Sequence, residues 1–182
     1  AMLAARAAGE VMRLPVSAMT AGVPIIAQDE FYCGPASLAM ALRWSGVEVG
    51  ADQVAPQVFT PARQGSLATD MLTAARRHGR LAVKANDLDE IFGEVAAGHP
   101  VVVLLNLGLE WIPKWHFAVL VSYDLATEEV DLHDGADAPA TMPLATFERT
   151  WARGGAWALT VLPPHRLPAR AAESAVEEAL DA

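Results

Sequence analysis

The hydrophobic pattern of the chain changes character about midway, from helical spacing to strand-like runs. In the first half, apolar positions recur three and four residues apart, as at Leu67, Met71 and Ala75, which is the spacing of one helix face. In the second half, short unbroken apolar runs at 101–105 and 117–121 are typical of buried strands. Helices followed by antiparallel strands indicate an α+β domain.

Start and stop residues refine this pattern into elements. We predict that Ser66 and Asp87 each begin a helix as N-caps, and that Gly46, Gly79 and Gly98 end helices. The helices predicted in this way cover 1–13, 33–44, 51–59, 66–79, 88–97 and 142–151, and 168–182 is an amphipathic helix or tail. An extended segment is predicted at 23–27, and strands at 80–84, 100–106, 115–123, 128–134 and 156–162.

The helix at 33–44 is apolar almost all round, which is typical of a buried central helix. Its first turn holds Cys33, the only cysteine of the chain, and Pro35, whose fixed φ suits that position. The positive end of a helix dipole favours a thiolate, so Cys33 is a candidate nucleophile. A lone cysteine on a core helix is more often an inert small hydrophobe, and Cys33 alone does not decide between the two.

Among five histidines, His116 is distinct because it lies inside an apolar strand, where most histidines are core residues. We expect its strand to form a hairpin with the strand at 128–134. In the favoured register, Leu120 faces Val130, Ala118 faces Leu132 and His116 faces Asp134. A carboxylate directly opposite an imidazole is close enough to hold it in one tautomer.

These residues supply the parts of thiol-dependent acyl transfer. A thiolate at Cys33 attacks the acyl carbon, the His116 imidazole protonates the leaving amine, and the Asp134 carboxylate orients the imidazole. The side-chain amide of Gln28, five residues before the cysteine, can donate to the developing oxyanion together with the Cys33 backbone N–H.

The chain resembles the papain-like cysteine peptidases of the bacteriocin-processing branch, which cut leader peptides after a double glycine. The motif Q-x4-C-G, the apolar helix, W-H-F-A-V-L-V and the later D-L-H-D-G carry the resemblance, which covers 23–164. It implies Cys33 as nucleophile, His116 as base and acid, Asp134 as orienter and Gln28 in the oxyanion hole. It also implies a papain-like fold, in which a helical lobe with the Cys-bearing helix packs on an antiparallel lobe.

The chain departs from transporter-linked members at two positions, since Tyr32 precedes the cysteine and Gly135 follows Asp134, where those members have Asp and Pro. It resembles a stand-alone bacterial member, which implies the cell envelope or periplasm, although the cytoplasm stays open. We expect an N-terminal extension at 1–22, the peptidase domain at 23–164, and a helix or tail at 165–182 that begins a longer helical region.

Composition and charge limit the kinds of partner and ligand that we expect for this chain. At 182 residues and 53% hydrophobic, the chain is long enough for one well-buried domain. A net charge of −9 disfavours nucleic acid and anionic membrane surfaces, and no apolar run reaches membrane-spanning length. The N-terminus lacks the pattern of a signal peptide. The scattered cysteine and histidines give no metal-ligand spacing, and no phosphate-binding loop is present, so we expect neither a metal nor a cofactor.

Two questions stay open on the sequence. The aromatic stretch at 111–115, just before His116, lines the substrate cleft or acts as a lid, or it belongs to the core. The chain cleaves a peptide or protein substrate as a cysteine peptidase, or it is a silent peptidase-like module that binds a peptide without cutting it. Deamidation and transpeptidation use the same acyl-enzyme chemistry and are not separated from peptide cleavage.

Overall fold

A computed structural model of the chain describes residues 14–27, 32–63 and 65–171. The helix predicted at 1–13 and most of the segment at 168–182 lie outside the described residues, as does Gln28. Within the described ranges, none of the helices has the length and apolar character needed to cross a bilayer.

The elements follow the predicted order closely. The helices are α1 (Cys33–Trp44), α2 (Ala51–Val58), α3 (Ala68–Arg77), α4 (Leu88–Ala96) and α5 (Leu144–Arg153), with a 3₁₀ turn at Pro61–Arg63. The strands are β1 (Ser17–Met19), β2 (Phe59–Thr60), β3 (Gly65–Ser66), β4 (Leu81–Ala85), β5 (Val101–Asn106), β6 (Trp115–Asp124), β7 (Glu129–His133), β8 (Ala140–Pro143) and β9 (Ala158–Leu162).

A seven-stranded antiparallel sheet separates two hydrophobic clusters. Its order is β4-β9-β5-β6-β7-β8, and β1 pairs with β6. Because successive side chains of a strand point to opposite faces, Val119 packs in the cluster with α1, α2 and α3, whereas Leu120 packs in the cluster with α4 and α5. The α+β prediction is confirmed, and helices cover both faces of the sheet.

The central helix forms as the sequence predicts. Helix α1 begins at Cys33, and every residue from Gly34 to Leu42 is buried. Gly46, just beyond its end, has a φ of 93°, a left-handed conformation that favours glycine. The burial comes from packing on β6 and on the neighbouring helices, and it fixes the start of α1 relative to the sheet.

Two local predictions are wrong, and one strand was not predicted. Ser66 is not an N-cap, because it belongs to β3 and pairs with Phe59 of β2, so that α3 begins only at Ala68. Met142 does not open a helix, because Ala140–Pro143 pairs with β7 as strand β8 before α5 begins. Strand β1, a three-residue strand that pairs with β6, was not predicted from the sequence.

Candidate active site

Cys33 is the first residue of α1, and its thiol is half-buried. The preceding residue, Tyr32, has no side-chain hydrogen bond that caps the helix, and its carbonyl accepts from the N–H of Ala36. The first N–H groups of a helix have no partner within the helix, and they point along the positive end of its dipole. This end of α1 therefore offers N–H donors and a favourable field for a negative charge.

A short hairpin holds the residues on both sides of Cys33. The ring of Tyr32 stacks on Phe59, with ring centroids 5.2 Å apart. A Cβ placed on Gly34 would lie 2.2 Å from the Ser66 hydroxyl oxygen and 2.5 Å from its Cβ, so no side chain larger than hydrogen fits there without movement. Since Phe59 and Ser66 face each other across β2 and β3, one hairpin contacts both neighbours of Cys33.

His116 is the second residue of β6 and pairs with Leu105 of β5. Burial lowers the pKa of its imidazole from the ordinary value of 6.5, the charge of Asp134 acts in the opposite direction, and Lys114 lowers the pKa further. The ring also hydrogen-bonds the backbone carbonyl of Asp134, which favours the protonated form. The net effect is a ring that is neutral near pH 7, as a general base requires.

The predicted register of the β6–β7 hairpin is wrong. Leu120 faces Leu132 and Val119 faces His133, not the pairs that the sequence favoured. The irregularity lies between Leu120 and Ser122, where β6 shifts by one residue. His116 is therefore not directly opposite Asp134 but diagonal to it, a separation that an imidazole spans. His116 and Asp134 therefore interact, but they are not the directly opposed pair that the sequence predicted.

The start of α1 meets the start of β6 at Gly34 and Phe117. A Cβ placed on Gly34 would lie 3.6 Å from Cδ2 of Phe117, so the immediate neighbours of Cys33 and His116 lie close together. Among the described residues, no hydrogen bond joins the Cys33 thiol to the His116 ring. The structure thus brings His116 to Asp134 and brings Cys33 to the same end of the sheet. Gln28, the fourth predicted site residue, is outside the described residues.

His133 is a buried histidine on the opposite face of its strand from Leu132. Burial lowers the pKa of its ring, while a hydrogen bond to the backbone carbonyl of Pro24 and the charges of Asp134 and Asp131 act against that shift. Its Nδ1 is buried and has no hydrogen-bond partner among the described residues. We therefore treat His133 as a buried histidine of the fold and not as a site residue.

The lowered pKa values of His116 and His133 predict how stability depends on pH. Both folded-state pKa values lie below 6.5, so the unfolded chain binds protons more readily in the window below that value. The free energy of unfolding is expected to be highest above about pH 6.5 and to fall toward about pH 5.5. His133→Gln removes one titration and should flatten that slope by up to about 1.4 kcal/mol per pH unit. Urea denaturation across this window measures both slopes, and equal slopes would contradict the prediction.

The aromatic stretch before His116 is not part of the core. Trp111 is 74% exposed and Trp115 is 55% exposed. The Asn106 side chain holds the turn that carries them, because its Oδ1 accepts from the N–H groups of Gly108 and Lys114 at 3.0 Å each. Of the interpretations left open by the sequence, the core interpretation is therefore wrong.

The contacts of Ser66 and Phe59 with the residues on either side of Cys33 were not predicted from the sequence. The pairing of β2 and β3 covers only two residues on each strand, too short to produce an alternating pattern. Gly34 offered the one available signal, because glycine beside a candidate nucleophile on a helix otherwise rich in alanine and leucine suggests a close approach of another chain segment.

Solved structures with the same fold include three described as peptidases. A protein from Bacillus anthracis described as a C39-like peptidase has a TM-score of 0.69 at 22% identity, over 82% of this chain and 99% of its own. A double glycine motif protease from an AMS/PCAT transporter, solved with its leader peptide, has a TM-score of 0.60 at 27% identity, over 82% and 99%. The peptidase domain of Streptococcus ComA, a bi-functional ABC transporter, has a TM-score of 0.59 at 19% identity, over 78% and 99%.

The sequence comparisons give a match to a protein family but none to an individual curated protein. No curated protein sequence is significantly similar to this chain. The model of the Peptidase_C39 like family matches residues 20–158, which include Cys33, His116 and Asp134 and cover most of the chain. This chain belongs to the Peptidase_C39 like family.

Proposed function

We propose that this protein is a cysteine peptidase that cleaves peptide bonds through an acyl-enzyme, with Cys33 as nucleophile. The Cys33 thiol gives its proton to neutral His116, the resulting thiolate attacks the carbonyl carbon of the scissile bond, and the protonated ring then gives that proton to the departing amine nitrogen. Neutral His116 next takes a proton from water, whose oxygen attacks the thioester and releases the acid and the free thiol. The N–H of Cys33 and the Gln28 amide stabilise the oxyanion in both steps.

The observation that carries this proposal is the meeting of α1 and β6. A Cβ on Gly34 would touch Phe117, so the start of a buried helix with a half-buried thiol lies close to a half-buried imidazole that interacts with the Asp134 carboxylate. In acyl transfer by thiols, that combination supplies the nucleophile, the proton carrier and the orienting group. The missing hydrogen bond between thiol and ring is compatible with this role, because such bonds are commonly longer before substrate binds.

Asp134 supports His116 in two ways. Its charge favours the protonated ring, and its backbone carbonyl accepts a hydrogen bond from the ring. Its side-chain Oδ1 also accepts from the N–H of Ala136 at 3.2 Å, which fixes the carboxylate on the turn after β7. The carbonyl sets the orientation of the imidazole, and the carboxylate stabilises the positive charge that the ring carries during the reaction.

A peptide is the substrate class that fits this proposal. The protease of the AMS/PCAT transporter, similar to this chain at 27% identity, was solved with a leader peptide. The apolar turn that carries Trp111 and Trp115 leads directly into His116, so extended peptide can contact it on the way to the thiol. We extend the proposal to processing of leader peptides, which a screen of such peptides tests.

Alkylation of Cys33 by iodoacetamide at different pH values tests the proposal without a known substrate. We expect rapid labelling at about pH 5–6, because an imidazolium beside the helix start stabilises the thiolate. His116→Ala should slow labelling in that range at least about tenfold and have little effect near pH 9, where thiols ionise unaided. His165→Ala is the matched control, because His165 is an exposed histidine after β9.

The result also decides between cleavage and silent peptide binding. Slow labelling of both the unchanged protein and His116→Ala, rising only above about pH 8, would mean an ordinary thiol and would overturn the peptidase proposal. The absent hydrogen bond between Cys33 and His116 is the observation that favours this second function, a peptidase-like module that binds peptides without cutting them. Loss of labelling in His165→Ala would instead indicate a general structural effect.

A further inference from the structure

The side chain of Ser66 lies against the backbone next to Cys33 without forming a hydrogen bond. Its hydroxyl oxygen is buried and has no hydrogen-bond partner among the described residues. Leaving a buried hydroxyl unpaired is costly, so such groups in folded proteins need an explanation. The explanation is not the stability of β3, because β3 pairs with β2 through its backbone.

The position of Ser66 gives the explanation. Both its Cβ and its hydroxyl oxygen press on the space where a side chain of Gly34 would be, at 2.5 and 2.2 Å from an added Cβ. Gly34 is the residue directly after Cys33 and is buried. The close approach therefore fixes the second residue of α1 against β3.

A second contact from the same hairpin fixes the residue before Cys33. Tyr32 stacks on Phe59 with an interplanar angle of 28°, and Phe59 is the direct cross-strand partner of Ser66. Helix α1 has no side-chain cap at this end. We therefore expect the contacts with the hairpin to limit fraying of its first turn. Cys33 is thus held from both sides by β2 and β3.

We propose that Ser66 is a positioning residue for Cys33, which sets the orientation of the thiol and of the first N–H groups of α1. This inference rests on the proposed function, since it assigns Ser66 to the same reaction. Misplacing a reacting group by about 1 Å can slow a reaction strongly. The rate gained by holding Cys33 in place through Gly34 therefore offsets the stability lost by leaving the Ser66 hydroxyl unpaired.

The rate of Cys33 alkylation at pH 6 relative to that at pH 9 tests the inference. Ser66→Gly removes the contact and should lower this ratio about tenfold, because the thiolate is then less well oriented at the helix start. Gly34→Ala forces a Cβ into Ser66 and should lower the ratio at least as much. The double variant Gly34→Ala with Ser66→Gly makes room for that Cβ, and its ratio should recover to within about threefold of the unchanged protein.

Thermal unfolding separates positioning from a purely structural role. Ser66→Ala deletes an unpaired buried hydroxyl, so its Tm should be unchanged or higher while its alkylation ratio falls. Thr160→Val is the matched control, because the Thr160 hydroxyl, on β9, is also buried and has no hydrogen-bond partner in the described part of the chain. That variant should keep the alkylation ratio of the unchanged protein.

The outcomes distinguish this inference from the proposed function. The positioning role is overturned if the thiol of the unchanged protein is reactive and the Ser66 and Gly34 variants have the same ratio of alkylation rates as that protein. The peptidase proposal then stays in place. An unreactive thiol in the unchanged protein overturns both. A lowered ratio that the double variant does not restore means that Gly34 acts through something other than Ser66, which also overturns the inference.

Discussion

Cys33→Ser is expected to cleave peptides at least about 10⁴-fold more slowly than the unchanged protein, with little change in folding. A hydroxyl is a far weaker acid than a thiol, so a serine at the start of α1 does not ionise in the range where a thiolate forms. The substitution is nearly isosteric and the thiol makes no hydrogen bond to His116, so we expect Tm to stay within about 3 °C.

The measurement is cleavage of a peptide library that includes double-glycine leader peptides, followed by mass spectrometry. New termini should accumulate with the unchanged protein and be absent with Cys33→Ser over the same time. Cleavage that persists in the variant would show that Cys33 is not the nucleophile. The cleaved peptides also define the preference on each side of the scissile bond, which the present residues leave open.

Cys33→Ala extends this experiment to the second function. A peptidase that has lost its nucleophile should still bind the peptides that the unchanged protein cleaves, because binding and chemistry use different groups. Binding by Cys33→Ala together with cleavage by the unchanged protein supports the peptidase. Equal binding by both proteins with no cleavage by either supports the silent module and contradicts the proposed function.

The buried helix and the pair of His116 with Asp134 were predictable because each has a strong local signal. An unbroken apolar run with proline in its first turn and glycine after its end permits few structures other than a buried helix. A histidine in an apolar strand needs a polar partner, and the next strand ends in a single carboxylate that is near enough along the chain.

The register and the hairpin around Cys33 were not predictable because they depend on contacts between distant segments. The shift after Leu120 places Ser122 opposite Asp131, and their side chains hydrogen-bond at 2.6 Å. The extra residue does not alter the apolar pattern of β6, so the sequence favours a regular ladder. Ser66 likewise has the local signal of an N-cap, which its pairing with Phe59 overrides.

A buried carboxylate far from Cys33 joins three segments of the chain. Glu94 of α4 accepts a hydrogen bond from the N–H of Ala169 at 2.8 Å and contacts the His99 ring at 2.6 Å. The side chains of Glu94 and His99 are 8% and 5% exposed. The His99 ring also packs edge-on against Trp44 at the end of α1, so this carboxylate connects α4, the start of β5 and the chain after β9.

Glu94→Ala is expected to lower the free energy of unfolding by about 3 kcal/mol, because it leaves a buried imidazole and a buried N–H without their acceptor. For a protein of this size, the change corresponds to a fall in Tm of about 6–12 °C. Glu94→Gln keeps one acceptor oxygen and should lose less than half as much. Glu48→Ala is the matched control, since Glu48 pairs with Arg43 at 3.8 Å while 86% exposed and should change Tm by no more than about 2 °C.

Limited proteolysis shows whether the lost stability comes from the segment after β9. Without the acceptor for Ala169, trypsin should cut after Arg166 and Arg170 faster in Glu94→Ala than in Glu48→Ala, before the rest of the protein is digested. Alkylation of Cys33 should be unchanged below the lower Tm, because the carboxylate does not contact α1 near the thiol. A loss of stability below about 1 kcal/mol, or digestion that begins elsewhere, would show that Glu94 does not hold these segments together.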